Sequence, residues 1–432
     1  MQKLYPDRLL KKLANLQLAI GLLLTIGIVV AVGTIIEQDQ NLTFYQQNYP
    51  ISNPIWGFVT WELITFLSFD HIYTSYWFIA LLILFGASLM ACTLSVQLPV
   101  LRRLRRWKFY SNVKKTNGIY DMLPSNKTNN LVYQLHSSNY NIFRQGKKNY
   151  AYSGLLGRFG PIVVHASIIL LLIGSTIGSF GGYIGQEIVP RGEIFHTQNV
   201  IKIGRLSKIP QTLSWRVNDF WITYTDDSKT NQFYSDLSLL DNLGNELKRK
   251  TIFVNEPFVY KGITLYQTDW DIVGLKYNVN GLKTSQLALK KITKPGQKFW
   301  FGNINVATRE NKIESFSILV NDLQGKIYIY ESSGKLLQKC NLGQPIILNG
   351  TEQIFFSDFL TSTGLQIKAD PGINTVYLAF FFLIVSTYIS FISYSQIWAT
   401  ETSQQVTLAG ISNRAVLFFQ SEFRKLLTKT IL

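Results

Sequence analysis

The chain is poor in the residues that most metal, redox and hydrolytic chemistry requires. Only Cys92 and Cys340 are cysteines among its 432 residues, and no C-x-x-C occurs. That excludes a disulfide scaffold, a thioredoxin-like redox motif, a zinc ribbon and a c-type haem attachment site in this chain. Four histidines, His71, His136, His165 and His196, are the whole imidazole supply for any metal or haem chemistry. Charged residues make up 16%, against a usual ~25%. G-x-S-x-G, H-E-x-x-H, Walker A and a G-x-G-x-x-G opening a helix are all missing. The glycines between Gly178 and Gly185 leave an apolar run instead of opening one, which suits a flexible exit better than a phosphate cradle. Asp269 and Asp271 flank Trp270, and nothing in the sequence positions them as a hydrolytic pair.

Long apolar runs, by contrast, are abundant. Crossing a bilayer as a helix takes ~20 apolar residues. Four stretches qualify, at 16–36, 76–98, 160–180 and 373–398, and none carries Lys, Arg, Asp or Glu in its interior. A helix is the only open-chain way to satisfy backbone groups in lipid, so four transmembrane helices are expected. Lys11 and Lys12 before the first run, and Ala31-Val32-Gly33 near its end, resemble a signal peptide. The run is longer than a ~7–15-residue h-region and three more follow, so a retained helix is expected.

The net charge of +16 could point to nucleic acid, but its distribution points to a membrane. The 1–15 tail, the 99–159 loop and the 399–432 tail hold 20 basic and 4 acidic residues. The cluster Arg102, Arg103, Arg105, Arg106 and Lys108 lies among them and suits anionic headgroups. The 37–75 loop has no basic residue and carries Glu37, Asp39, Glu62 and Asp70. The positive-inside rule places both tails and the 99–159 loop on the cytoplasmic or stromal face, and 37–75 and 181–370 on the translocated face. No nucleic-acid partner is expected.

The 181–370 segment has a period of two. Leu213, Trp215 and Val217 alternate with polar residues, and Phe220, Ile222 and Tyr224 continue after a phase shift. Phe233, Ser235, Leu237 and Leu239 alternate before the turn cluster Asp241–Asn245, and Asn321–Gly325 separates two further alternating runs. Turns at this spacing predict a large all-β domain, sandwich- or barrel-like, between the third and fourth helices. Ser111–Lys127 is Asn/Lys-rich and reads as loose.

Among the candidate site residues His165 stands out, because it lies inside the third run, about six residues from its basic-side end. Ionisable residues in a membrane are expensive and usually functional, and a neutral imidazole can ligate iron or carry a proton. A histidine merely hydrogen-bonded to a neighbouring helix is the other reading. Cys92 lies at similar depth and reads as a small buried hydrophobe. His71, just before the second run, is either an interfacial ligand or a solvated loop residue. His196, near Glu193, is weak evidence for a site, and His136 carries no assignment.

Specific strings resemble the ResB-type cytochrome c biogenesis proteins of the system II pathway, in their plastid and cyanobacterial form. They are Gly33-Thr34-Ile35-Ile36-Glu37-Gln38, Gly157-Arg158-Phe159-Gly160-Pro161 before His165, and Asn255-Glu256-Pro257. Further along come the run Tyr260 to Trp270, Asp370-Pro371-Gly372, Gln396-Ile397-Trp398-Ala399 and Gly410 to Ala415. The resemblance covers nearly the whole chain. It implies a subunit of the cytochrome c synthase that delivers haem b across the thylakoid membrane for attachment to apocytochromes c in the lumen. It implies a CcsA-type haem-handling membrane protein as partner, since no closely spaced Trp run occurs here. It also implies His165 as a haem axial ligand, with His71 a weaker candidate for cofactor binding. A membrane scaffold that holds an apoprotein without touching haem is the alternative. The absence of a transit peptide and an Asn-, Ile- and Lys-rich composition suggest a plastid-encoded copy in the chloroplast of an alga, with a cyanobacterial thylakoid as the alternative.

Overall fold

Four helices are long and apolar enough to cross a bilayer, Leu16–Ile35, Tyr76–Val100, Gly160–Gly181 and Ile373–Ser390. The computed structural model describes residues 8–100, 107–110, 113, 118–281, 283–294, 297–307, 313–348 and 352–432. Lys3, Arg102, Arg103, Arg105, Arg106, Lys114 and Lys115 lie outside the described residues. The chain forms two compact units, residues 1–176 with 373–432, and residues 177–372.

In the first unit the fourth span ends eight residues earlier than its apolar run suggests. The helix stops at Ser390, and Ser395–Glu401 is a strand. Phe391 and Ile392 donate to the carbonyls three residues back, tightening the last turn, and the Arg414 guanidinium caps the Ser390 carbonyl. No charged residue separates Ser390 from Glu401, so a reading by absence of charge merges Ile397 and Trp398 with the helix before them.

Nor are the 99–159 loop and the C-terminal segment a loop and a tail. Together they build a five-stranded antiparallel sheet in the order Ile119–Pro124, Gln405–Ser412, Ser395–Glu401, Lys148–Ser153 and Asn141–Gln145. Helices Thr128–Ser137 and Val416–Ile431 cover one face through Leu131, Leu135, Phe419, Phe423, Leu426 and Leu427. The other face packs Tyr150, Trp398 and Ala409 against Phe109, Tyr110 and Val113. Much of the stretch read as loose is therefore ordered, since Ile119–Pro124 is an outer strand of this sheet.

The Gly157-Arg158-Phe159-Gly160-Pro161 string has a packing role. Leu155–Arg158 is a 3₁₀-helix, whose three residues per turn bring Gly154, Gly157 and Gly160 onto one face. That face lies against Ser390, Ile392 and Ser393, and a Cβ at Gly157 would fall on the Ile392 carbonyl. Gly157→Ala is expected to destabilise the chain by about 3 kcal/mol, because a backbone atom cannot move aside as a side chain can. Gly27→Ala meets nothing within 4 Å and should be silent. Thermal midpoints in detergent compare the two, and equal midpoints would refute the packing role.

The second unit is all-β with several sheets. One sheet runs Phe258–Tyr260, Ile263–Val279, Glu352–Ala369, Tyr183–Pro190 and Val200–Ile203, with Ser285–Ala288 and Pro345–Leu348 added at its flanks. A five-stranded meander covers Lys290–Asn341, and a four-stranded sheet runs Ile194–Phe195, Ser214–Tyr224, Thr230–Leu240 and Glu246–Phe253. All of these sheets are open, so the barrel-like alternative is set aside for the described residues.

Strands fall where the alternation puts them. The phase shift after Val217 is a bulge between Val217 and Asp219, after which Phe220 turns inward. Lys261 and Gly262 both have positive φ (44° and 83°), the two-residue turn that matches strand twist. Gln267, further along the same string, is buried and accepts from Thr363 Oγ1 at 2.9 Å and from the Ser235 hydroxyl. The conspicuous Tyr260-to-Trp270 run is thus a hairpin and a three-strand polar tie.

Candidate functional site

The second span carries its own irregularity near its end. Thr93–Gln97 is a π-helical turn, closed by Leu98 N–H donating to the Thr93 carbonyl. Three features of the sequence produce it. Thr93 Oγ1 donates to the Leu89 carbonyl at 2.8 Å, and Ser95 Oγ donates to the Ala91 carbonyl at 2.6 Å. Back-bonding of this kind loosens the ladder. Pro99 then has no N–H for the Ser95 carbonyl. Single π turns inside helices recur at functional sites.

His165 sits against this turn. Leu22, Phe85 and Leu89 pack with Ile168, Ile169 and Leu172, which brings the start of the third span to the end of the second. The His165 Nδ1 lies 3.0 Å from Thr93 Oγ1. The Gln97 amide nitrogen lies 3.2 Å from His165 Nε2 and 3.4 Å from Nδ1. Among the described residues the Gln97 carbonyl oxygen is buried without a hydrogen-bond partner. The imidazole is half-buried among neutral groups, and no carboxylate or cation is bonded to it in the described residues. Cys92 is the residue before the π turn and a free thiol.

Elsewhere in this unit, His71 belongs to a separate cluster. Its Nδ1 is 2.9 Å from Asp70 Oδ2, and its side chain is 44% exposed. Gln38 holds the segment in place: its amide donates to the Ile36 carbonyl at 2.8 Å and the Phe69 carbonyl at 3.0 Å, while its oxygen accepts from Ile72 N–H at 3.0 Å. Glu37 accepts from the Tyr49 hydroxyl at 2.7 Å. Burial, and then the Glu37 carboxylate, push the Tyr49 phenol up to about 12. The Glu37-Gln38 pair in the first-span string thus ties the chain leaving the first span to the chain entering the second. Tyr76 and Thr93 are 17 residues apart, roughly 26 Å of helix, so His71 and His165 lie at opposite ends of the second span and do not share a site.

His136 is an exposed residue in the last turn of Thr128–Ser137. In the β unit, His196 is exposed and donates from Nδ1 to the Leu213 carbonyl at 3.3 Å. Asp271 accepts from the Trp300 indole and faces Lys291 at 3.8 Å, while Asp269 faces Lys298 at 3.7 Å. Each carboxylate is engaged separately, which leaves no hydrolytic pair there. Among the described residues no group of three or more His, Cys, Asp or Glu could hold a metal ion.

Thr93 and Gln97 escape a search for titratable residues. The available signal is the alternation Thr93, Ser95, Gln97 ending in Pro99, because a run of polar side chains inside an apolar span needs partners.

Comparison with known proteins covers the full length. A model of the ResB-like family matches residues 16–343 and 302–424. The chain is 55% identical over 425 residues to "Cytochrome c biogenesis protein Ccs1" of Emiliania huxleyi, covering 98% of this chain and 96% of that protein. Proteins with the same title from Pyropia yezoensis and Thalassiosira pseudonana are 44% and 42% identical, covering 97% and 98% of this chain and 94% and 99% of theirs. A solved structure titled "Cytochrome c Heme Lyase CcmF" overlaps with a TM-score of 0.24 at 9% identity, covering 71% of this chain and 30% of that one. An overlap that slight bears on neither fold nor function.

Proposed function

The chain belongs to the ResB-like family, and from that premise we propose that it is a subunit of a cytochrome c synthase that receives haem inside the membrane. It presents that haem for covalent attachment to apocytochromes c on the far side of a plastid thylakoid membrane. A CcsA-type membrane protein is its haem-handling partner. The relatives' shared title, cytochrome c biogenesis protein, supports the pathway. The observation that carries the haem role is His165, an imidazole held in the apolar spans by two neutral side chains.

Haem is cargo here. The protein's part is to bind and orient it. His165 supplies one nitrogen lone pair to the iron, which neither the surrounding aliphatic side chains nor backbone amides can replace. One histidine gives one axial bond, so the second comes from the partner or an exogenous group. The lumenal β unit handles the polypeptide.

Sidedness follows from pairing. Ile119–Pro124 and Gln405–Ser412 are neighbouring strands of one sheet, so the 99–159 segment and the chain after the fourth span share one face of the membrane. That face carries the Lys/Arg excess and is assigned to the stroma. With Cys92 and Cys340 replaced by serine, an impermeant maleimide added to sealed thylakoids should label Ser137→Cys and spare Asn242→Cys until the membrane is opened. Immediate labelling at 242 would reverse the assignment.

The direct test of function is an absorption spectrum of the chain purified with its partner. A haem Soret band is expected on the complex. A complex free of haem that still matures cytochrome c at full rate would overturn the reading.

A further inference from the structure

The hydrogen bonds around His165 are directional, and their direction determines which ring nitrogen is free. The Thr93 hydroxyl has one proton, and the Leu89 carbonyl at 2.8 Å takes it. What Thr93 then turns toward His165 Nδ1, at 3.0 Å, is an oxygen lone pair. A lone pair there calls for a proton on Nδ1, and a neutral imidazole with Nδ1–H keeps its own lone pair on Nε2. The Gln97 amide nitrogen is the polar atom beside that lone pair, at 3.2 Å. It also lies 3.4 Å from Nδ1, so it sits over the ring face, far out of line with the in-plane Nε2 lone pair. A bent bond of this kind is weak. The other end of the same amide, the Gln97 oxygen, is buried without a hydrogen-bond partner among the described residues.

We propose that the π turn of the second span presets His165 for iron: Thr93 selects the Nδ1-protonated imidazole and so leaves the in-plane Nε2 lone pair for the metal. Thr93 is a positioning residue, and the inference rests on the reading of His165 as the haem ligand. The step is balanced. The Nε2 lone pair forms the bond to iron while the Nδ1 proton stays with Thr93, so no proton or electron enters or leaves. The π turn matters because it is where the loosened ladder places a hydroxyl against one nitrogen of the ring. Donation from Nδ1–H to Thr93 makes the imidazole a stronger electron donor, which favours ferric iron.

Two measurements test this, one of them without haem. In the haem-free full-length chain, nitrogen-15 spectra of labelled histidine, with His165 assigned by difference against His165→Ala, should show Nδ1 protonated. Thr93→Ser should keep that pattern and Thr93→Val should mix the tautomers. A wild-type His165 protonated on Nε2 would overturn the proposal whatever its role toward haem. In the haem-loaded complex, Thr93→Val should lose haem about ten- to a hundredfold faster and show a raised reduction potential, with both restored by Thr93→Ser. If His165→Ala loses haem but Thr93→Val matches the wild type in retention and potential, the presetting is wrong while the ligand role stands. If His165→Ala itself keeps a wild-type spectrum, the ligand role fails.

Discussion

His165→Ala is expected to abolish haem retention and holocytochrome c formation while leaving the chain inserted and abundant. The side chain is half-buried near one end of the third span, so its loss removes little apolar area. Thr93 keeps its bond to the Leu89 carbonyl, and what is lost is its contact with Nδ1 and the weak Gln97 contact, at a cost of about 1–3 kcal/mol. The functional loss should be far larger, because an axial iron bond has no substitute among the surrounding aliphatic side chains. A drop of roughly a hundredfold or more in maturation is expected. Added imidazole fits the vacated space, finds the same two polar partners, and should restore part of the activity. His71→Ala should be milder, since that ring is solvent-exposed and lies at the other end of the second span. Cytochrome c yield per unit of inserted protein is the measurement. Normal yield from His165→Ala would leave this residue as a hydrogen-bonded histidine and nothing more.

Ending the chain after Glu401 is expected to unfold the mixed α/β part of the first unit. A 399–432 segment read as a tail would be dispensable. In the structure, Gln405–Ser412 is an inner strand paired on both sides, with Ile119–Pro124 and with Ser395–Glu401. Val406, Leu408, Phe419, Phe423, Leu426 and Leu427 from the lost segment are buried at 4% exposure or less. Their burial is worth on the order of 10 kcal/mol or more, comparable with a whole domain's ~5–15 kcal/mol. Limited proteolysis should cut the truncated chain between 118 and 159, where the full-length chain resists. A truncated chain with unchanged resistance would show that the strand is not needed.

Much was decided locally. A bilayer asks only for length and apolarity, so the four helices long and apolar enough to cross one were readable. Period-two alternation is equally local, and even the bulge after Val217 left its mark as a phase shift. His165 announced itself because an imidazole in an apolar run is costly wherever the chain goes next. What remained needed partners distant in sequence. The end of the fourth span and the strand at 395–401 could not be separated locally, because no charged residue lies between Ser390 and Glu401. No local pattern says that 119–124 pairs with 405–412, since the pairing joins segments almost 300 residues apart. Gln38 gave no sign that it would fasten the segment holding His71. Thr93 and Gln97 are ordinary polar residues by themselves. Only the packing of the second span on the third turns them toward His165. The lone imidazole in an apolar span was legible in the sequence. The hydroxyl and amide beside it were not, because contacts between two helices exist only once the helices are packed.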